Sequence, residues 1–397
     1  MSSELQIFDE AQFEEAIVRE EVHTYRPNVA SYHHSDEIEI VINQQDALVA
    51  LYDASLYIDL TYTPETDATN CKLTKNFGAF LFESMSYELN AIEVERVRKP
   101  GLITTLKTYL CYNENEVKAL SIAGWFDDEI STTTNMTLCL PLKYLFSLFT
   151  DYKKVIMGKH RLRLIRARND NNCYITTDDK KASIEINNIE LKVKHIYPND
   201  GLKLEMLQKL SKNELIIMPF RKWDIYELPS LRQANRDIWP IKTSTNLEKP
   251  RLVVVAFQKN RKNNPKMDIT YLDNVDIRNI KLQLNSEFYP YEAMKVDFEK
   301  KQYIEPYAKY IEFRKIFFED IERDEPYLSY TKFADKAIFT VDCSKQDEAL
   351  KASTVDIKLE LERRDGNFAA NTSVICLIIH DSLVEYLPLT GIVKHLI

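Results

Sequence analysis

The sequence predicts an all-β chain built as two β-sandwiches in tandem. Three observations carry that reading. Short runs of period-two alternation recur from Asp36 to the C-terminal region. Few segments show helical spacing. Pro198-Asn199-Asp200-Gly201, the strongest turn signal in the middle of the chain, divides it into halves of similar size. At 397 residues the chain is too long for one ordinary domain, and halves of roughly 200 residues can each bury a core. The expected organisation is an N-terminal arm over residues 1–35, a first sandwich over 36–198 and a second over 199–397.

In the arm, Phe13, Ala16 and Ile17 form a weak helical stripe among many carboxylates; alone such a helix is marginal, and the segment either docks on a neighbour, the favoured expectation, or stays mobile. Strands follow. Ile38, Ile40 and Ile42 share one face, with Glu39 and Val41 on the other. Ile58, Leu60 and Tyr62 alternate around Asp59 and Thr61. Residues 77–97 hold two strand-like runs broken near Asn90. After Pro100-Gly101, the spacing of Leu102, Leu106, Tyr109 and Leu110 predicts a helix. Met136 to Leu140 is a short apolar run. Beyond it, Leu142, Leu145, Phe146 and Phe149 have helical spacing, with Pro141 at the helix start. Strand character returns from His160 to Arg168. Ile184 and Ile186 are even-numbered but Ile189, Leu191 and Val193 odd-numbered, so a bulge or turn at Asn187-Asn188 is needed to keep both runs facing the core.

The second half opens with a short helix whose stripe is Leu202, Met206, Leu207 and Leu210, followed by the apolar run Leu215 to Phe220. Strands are expected at Arg251–Phe257, Ile277–Leu284, Ala337–Val341, Asp356–Glu362 and Ser373–Ile379. Between the second and third of these lies a helical insertion that starts near Pro306, with Tyr307, Tyr310, Ile311 and Phe318 on one face. Many short strands in two halves suit eight-stranded sandwiches, which hide most of their edges by packing two sheets.

Composition narrows the function. Only 7 glycines argue against a Gly-rich nucleotide-binding fold, and 11% aromatic residues suit packed sheets. A net charge of −9 does not favour wrapping nucleic acid by phosphate neutralisation. Cys71, Cys111, Cys139, Cys173, Cys343 and Cys376 are scattered without a C-x-x-C pair, so free thiols in a reducing compartment are expected, not a zinc cluster or disulfides. The acidic N-terminal residues lack a signal-peptide apolar core, and no apolar run approaches the ~20 residues that span a bilayer, so synthesis and assembly inside a cell are expected.

Candidate chemistry is sparse. His33-His34, beside Asp36 and Glu37, is the one metal suspect, but adjacent side chains on an extended segment point opposite ways. His160, His195, His380 and His395 are dispersed and expected in ordinary hydrogen bonds. Lys153, Lys154, Lys159, Arg161, Arg163, Arg166 and Arg168 form a basic run with no acidic residue between them. A solvated strand face, a protein interface reached by the acidic arm, and DNA contact are all open readings of it. On the interface reading, reversing Arg161 and Arg163 to Glu impairs assembly without impairing folding. Asp127-Asp128 and Asp178-Asp179 lie in polar, loop-like surroundings where solvation explains them. Asn135-Met136-Thr137 and Asn371-Thr372-Ser373 match the glycosylation pattern but are expected to stay unmodified without a secretory signal. Nucleophile-elbow, P-loop and H-E-x-x-H motifs are absent. No catalytic, cofactor or metal residue is assigned, and the chain is not expected to be an enzyme.

One segment is the most telling. In Ile277 to Glu292, IRNIKLQLNSEFYPYE, the alternation of Ile280, Leu282 and Leu284 runs into Asn285-Ser286 and an aromatic corner of Phe288, Tyr289, Pro290 and Tyr291. It resembles the double jelly-roll major capsid proteins of DNA viruses, especially the polinton-like and adintovirus-like group and related genes integrated in animal genomes. Pro141–Asn172, Pro229–Gln258 with its WPIKTSTNLEKPRLVVVAFQ, Val341–Lys345 and the tail NTSVICLIIHDSLVEYLPLTGIVKHL are similar to the same family. The resemblance implies two jelly rolls side by side, and three chains forming a trimer of pseudo-hexagonal outline that tiles an icosahedral shell around DNA. It implies penton or minor capsid proteins as partners, a place in the virion, and no catalytic residues to carry over. Two readings from other classes stay open on the residues alone: a non-assembling two-domain β-sandwich that binds glycans or proteins, and a bicupin-like metalloenzyme.

Overall fold

The computed structural model describes residues 16–29, 31–43, 48–65, 71–126, 130–177, 180–243, 249–318, 326–345 and 356–396. The first half supplies strands β1 (Ile17–Tyr25), β2 (Glu37–Ile42), β3 (Leu48–Pro64), β4 (Cys71–Leu73), β5 (Phe82–Leu89), β6 (Ile92–Arg98), β7 (Thr134–Pro141), β8 (His160–Arg166), β9 (Tyr174–Thr176) and β10 (Ala182–Pro198). The order β1-β10-β3-β7 makes one four-stranded sheet and β2-β8-β5-β6 another, with β4-β9 a separate pair.

The alternation read from sequence is the packing itself. Ile38, Ile40, Ile42, Ile58, Leu60 and Tyr62 are all buried, and each points from its sheet into the space between the two. The phase change in β10 is a bulge: the register with β3 shifts between Ile186 and Asn188, and Ile184, Ile186, Ile189, Leu191 and Val193 are buried on both sides of it. β5 and β6 are joined at Asn90-Ala91, both at positive φ, as a two-residue hairpin turn requires. The helical stripe expected across Ala16 and Ile17 is overturned. Ile17–Tyr25 is a strand, antiparallel to β10 along Ile17↔Pro198 to Tyr25↔Leu191, because its sheet edge offers backbone partners that an isolated helical turn lacks. Phe13 lies outside the described residues.

The second half repeats this order. Its strands are β11 (Ile216–Leu228), β12 (Arg236–Thr243), β13 (Pro250–Lys259), β14 (Ile277–Leu284), β15 (Glu287–Tyr289), β16 (Ile338–Asp342), β17 (Asp356–Arg363), β18 (Thr372–Leu387) and β19 (Ile392–His395). They form β11-β18-β13-β16, extended by β19 on β18, and β12-β17-β14-β15. If the eight strands that make up the two four-stranded paths of each half are numbered in chain order, both halves read 1-8-3-6 and 2-7-4-5. That is jelly-roll topology twice over.

The helices α1 (Phe77–Phe80), α2 (Pro100–Cys111), α3 (Glu114–Ala119), α4 (Leu142–Leu145), α5 (Ser147–Asp151), α6 (Asp200–Ser211), α7 (Ile304–Phe318) and α8 (Tyr330–Asp335) lie in the connections. The single helix expected after Pro141 is two short ones, because Phe146 is extended between them, yet Leu142, Leu145, Phe146 and Phe149 are all buried. α7 begins at Ile304, before Pro306. Its buried face is Pro306, Tyr310, Phe313, Arg314 and Phe317, while Tyr307, Ile311 and Phe318 of the expected stripe are partly buried. α6 forms as expected, but its leucine stripe is not buried.

α2 is buried on every side, including the Thr104, Thr105, Lys107 and Thr108 side that the sequence stripe left polar. Each threonine satisfies itself by donating its hydroxyl to a carbonyl one turn back, Thr104 to Pro100, Thr105 to Gly101 and Thr108 to Thr104. Buried Asn76 donates to the Gly101 carbonyl at 3.0 Å and to the Thr104 hydroxyl at 2.8 Å, tying the helix to the turn before α1. At Gly101 a methyl group would stand 2.3 Å from the Phe80 ring, whereas at Gly201 in α6 it would meet only the Asn199 Oδ1 at 3.6 Å. Gly101→Ala is therefore expected to destabilise by about 2 kcal/mol through overpacking, and Gly201→Ala to be near neutral. Chemical denaturation of the two variants checks the contrast; equal midpoints would contradict it.

Candidate functional site

The basic run is dispersed by the fold. Arg161 and Arg163 project from the outer side of β8, between buried Leu162 and Leu164. Arg161 pairs with Glu39 on β2 and with Glu88 on β5 at 3.2 Å. Arg163 pairs with Glu88 at 3.2 Å and with Glu37 at 3.6 Å. Arg166 turns inward. It is buried, donates to the Leu81 carbonyl at 2.7 Å and forms an ion pair with Asp170. Arg168 reaches Glu83 at 3.4 Å. Four arginines thus meet carboxylates within their own half of the chain. Reversing Arg161 and Arg163 would put like charges across adjacent strands, so that change perturbs the sheet before it tests any interface.

The histidines are spread across the structure. The His33 backbone N–H donates to Asp36 in a turn, and the His34 ring lies 3.1 Å from the Ala167 carbonyl. Glu37 faces Arg163. His380 pairs with Asp224 at 2.8 Å, and His395 contacts the Glu93 carbonyl at 2.7 Å. No group of three metal-donor side chains comes together among the described residues. All six cysteines are free, and burial pushes the Cys173, Cys343 and Cys376 thiols up, away from the reactive thiolate. Asp127-Asp128 and Asp178-Asp179 lie outside the described residues.

His160 and His195 form a buried pair of a different kind. His160 Nδ1 lies 2.9 Å from the Tyr87 hydroxyl, and His195 Nε2 3.0 Å from that of Tyr25 on β1. The His23 ring, on β1, stacks on His195 with centroids 4.2 Å apart. Burial, helped by the neighbouring His195, pushes His160 down to about 4, against a hydrogen bond to the Ile156 backbone that favours the charged form. Burial also lowers His195, with His23 adding to the effect and Glu21 opposing it.

What the tertiary structure assembles is the seam between the two halves. The Tyr109 hydroxyl of α2 donates to the Thr270 carbonyl at 2.9 Å. The Tyr310 hydroxyl of α7 donates to the Tyr109 carbonyl and accepts from the Leu328 N–H at 3.2 Å. All four residues are buried, with Phe333 against the Tyr310 ring, and burial pushes the Tyr109 and Tyr310 hydroxyls up, so they stay neutral donors. Arg314 of α7 pairs with Glu116 of α3 at 2.9 Å. Arg221 of β11 clamps Asp151 of α5 through Nη2 at 2.6 Å, Nε at 3.0 Å and its own backbone N–H at 2.8 Å. At the far side Glu227 accepts from Lys99 and from Lys262. Burial works against its charge, but the two lysines hold its carboxyl below the usual range.

Lys107 lies inside the seam. Its ammonium is 3.2 Å from the Ser147 hydroxyl and over the Trp223 ring, and burial pushes its pKa down. The Glu95 carboxylate nearby accepts from the backbone N–H groups of Ser147 and Leu148 at 2.9 Å each. Burial pushes it up, and Lys107 and those N–H groups oppose the shift. A cleft of 520 Å³ opens here, between Lys107, Ser147, Asp151, Arg221, Trp223 and Phe317. The cleft is lined from both halves, by α2 and α5 of the first and by β11 and α7 of the second. Sequence reading placed Tyr109 and Tyr310 on apolar stripes but missed Arg221, Asp151 and Thr270. Asp151 and Arg221 are 70 residues apart, and no local pattern links them.

Two outcomes follow. Arg221→Ala leaves Asp151 half-buried without its cation and is expected to cost about 3 kcal/mol, separating one unfolding transition into two when followed by calorimetry; a single unshifted transition would count against the seam as the coupling element. For His160, the folded pKa is depressed, so the unfolded chain takes up the proton first. Its contribution is complete above about pH 6.5 and is lost as pH falls toward about 4, on the order of 3 kcal/mol for such a shift. Denaturation at pH 7.5 and 4.5 should show His160→Gln losing less stability on acidification than the parent chain.

A family model described as a double jelly roll-like domain matches residues 71–384. No curated protein matches the chain in sequence. Among solved structures, a chain from the Sputnik virophage is similar with a TM-score of 0.65 at 9% identity, covering 100% of this chain and 92% of that one. The Faustovirus major capsid protein is similar with a TM-score of 0.63 at 8% identity, over 96% of this chain and 92% of that one. The mavirus major capsid protein gives 0.60 at 10% identity, over 100% and 93%. At such identities these are likenesses of fold.

Proposed function

This chain belongs to the double jelly roll-like domain family, and on that premise we propose that it is a major capsid protein. It trimerises into pseudo-hexameric capsomers that tile an icosahedral shell enclosing DNA. The observation that carries the reading is the repeated strand order of the two halves, joined by a seam of buried hydrogen bonds and ion pairs. One chain offers two similar building blocks at a fixed mutual angle, so three chains around a threefold axis offer six. Full-length fold similarity to the Faustovirus and mavirus major capsid proteins supports the same reading.

On this reading the chain works by shape and not by catalysis. Its place is the virion capsid, after assembly inside the host cell, and its partners are copies of itself and penton or minor capsid proteins. The net charge of −9 suits a shell wall more than a genome-condensing protein. The turn at Pro198–Gly201 divides the first jelly roll from the second. The segments that resemble polinton-like and adintovirus-like capsid proteins support a lineage within that group as part of the same proposal.

Native mass measurement of the purified protein is expected to give three times the 46.5 kDa chain mass, and negative-stain images to show pseudo-hexagonal capsomers or closed shells. A protein that stays monomeric at every concentration, or that forms dimers alone, would end this proposal.

A further inference from the structure

α6 half-buries Met206 and Leu210 but turns other leucines to solvent. None of its residues is buried, and Leu204 and Leu207 are 59% and 51% exposed. Leu215 and Ile217, just beyond it, are 43% and 50% exposed. Four large aliphatic side chains on one short stretch make an apolar surface that a lone soluble chain seldom leaves open. Its rim carries both signs, Lys203, Lys209 and Lys212 among Asp200, Glu205 and Glu214. Lys209 is held by Glu205 at 2.7 Å, but among the described residues Lys203 and Lys212 have no carboxylate partner.

The start of this helix is also where the N-terminal residues leave the described structure. Asn199 caps α6 by accepting from the Leu202 N–H at 2.8 Å, and the Asn199 N–H donates to the Ala16 carbonyl at 3.0 Å. Residues 1–15 carry Glu4, Asp9, Glu10, Glu14 and Glu15 without a single lysine or arginine, and bring the apolar Leu5, Ile7, Phe8 and Phe13. They match the apolar side chains of α6, and their carboxylates can meet Lys203 and Lys212. A 15-residue stretch spans at most ~50 Å, and the 12-residue helix is ~18 Å long, so the segment can cover α6 from its own tether. Tethering beside the helix cap gives it an effective concentration of roughly millimolar over a short span, which favours the chain's own segment over a second copy.

We propose that residues 1–15 dock on the Leu204–Leu207 face of α6 in the same chain, with Phe8 and Phe13 as the anchors and Lys203 and Lys212 as the charge partners. The proposal does not depend on capsid assembly, because cover and covered surface are in one molecule.

Disulfide trapping in the full-length protein tests it. Phe13→Cys combined with Leu204→Cys is expected to cross-link within one chain, with a yield independent of protein concentration and about tenfold above the control pair Phe13→Cys with Ile122→Cys; Ile122 is exposed but belongs to the first half. In parallel, Phe8→Ser with Phe13→Ser should speed amide hydrogen exchange of α6 by about tenfold while leaving exchange in β13 and β18 unchanged. Yields equal to the control, or α6 exchange indifferent to the two serines, would overturn the proposal. Cross-links mainly between chains would assign the face to a second copy. Co-sedimentation with phosphatidylcholine–phosphatidylserine vesicles, abolished by Leu204→Ser with Leu207→Ser, would assign it to a lipid surface. Either result equally rejects the intrachain cover.

Discussion

A helix with no solvent face sets the geometry of this molecule. α2 is enclosed by the first sandwich on one side and meets α7 and the Thr270 carbonyl of the second half on the other. A fully buried helix is tolerable only if its polar groups are satisfied. The threonine back-bonds, the Asn76 amide and the Tyr144 hydroxyl, which accepts from Trp125 at 2.7 Å, meet that condition. Pulling the halves apart would take from the Tyr109 and Tyr310 hydroxyls the carbonyls they donate to, and would expose Trp223 and Phe317 to water. The mutual angle of the sandwiches is thereby a property of the core and not of a flexible linker.

The two helices that meet at the seam occupy the same place in the repeat. α2 lies between β6 and β7, and α7 between β15 and β16, the fifth and sixth strands of each half's two four-stranded paths. The elaborations of the two jelly rolls therefore converge on each other, and each half completes the cover of its neighbour. Electrostatics follow the same logic. Arg161, Arg163 and Arg221 are matched by carboxylates on adjacent elements, so cations that look like a binding surface in sequence serve cohesion. Surface ion pairs of this kind contribute little singly. The Arg221–Asp151 clamp is more enclosed and threefold bonded, which makes it the stronger tie.

The strands were legible because alternation along a strand is a direct record of which face is buried. β2, β14 and β17 fall on the expected residues, β3 contains the expected Ile58–Tyr62 run but begins at Leu48, and the even-to-odd change in β10 identified its bulge. Failures cluster where local pattern and burial part company. Ile17–Tyr25 has acidic residues and a weak helical stripe, yet pairs with β10 because an open sheet edge was available. The Leu202–Leu210 stripe predicts a helix correctly but not its burial, since Met206 and Leu210 are only half-buried and Leu202 and Leu207 stay exposed. α7 shows a shifted face because it packs against β16 and α2 together, and a single stripe describes only one contact. The halves share a topology without sharing a recognisable sequence repeat.

From the residues in order came the β class, most strand positions, the core faces and the family resemblance, because all of these rest on local periodicity and on contiguous segments. The seam was decided by tertiary structure alone. Its partners, Tyr109 with Thr270, Asp151 with Arg221, and Glu116 with Arg314, are far apart along the chain, and a hydrogen bond or ion pair across that distance leaves no trace in spacing or composition. The same holds for the buried histidines. Each looks ordinary in sequence, and only enclosure by both sheets removes the water that would let His160 and His195 hold a proton.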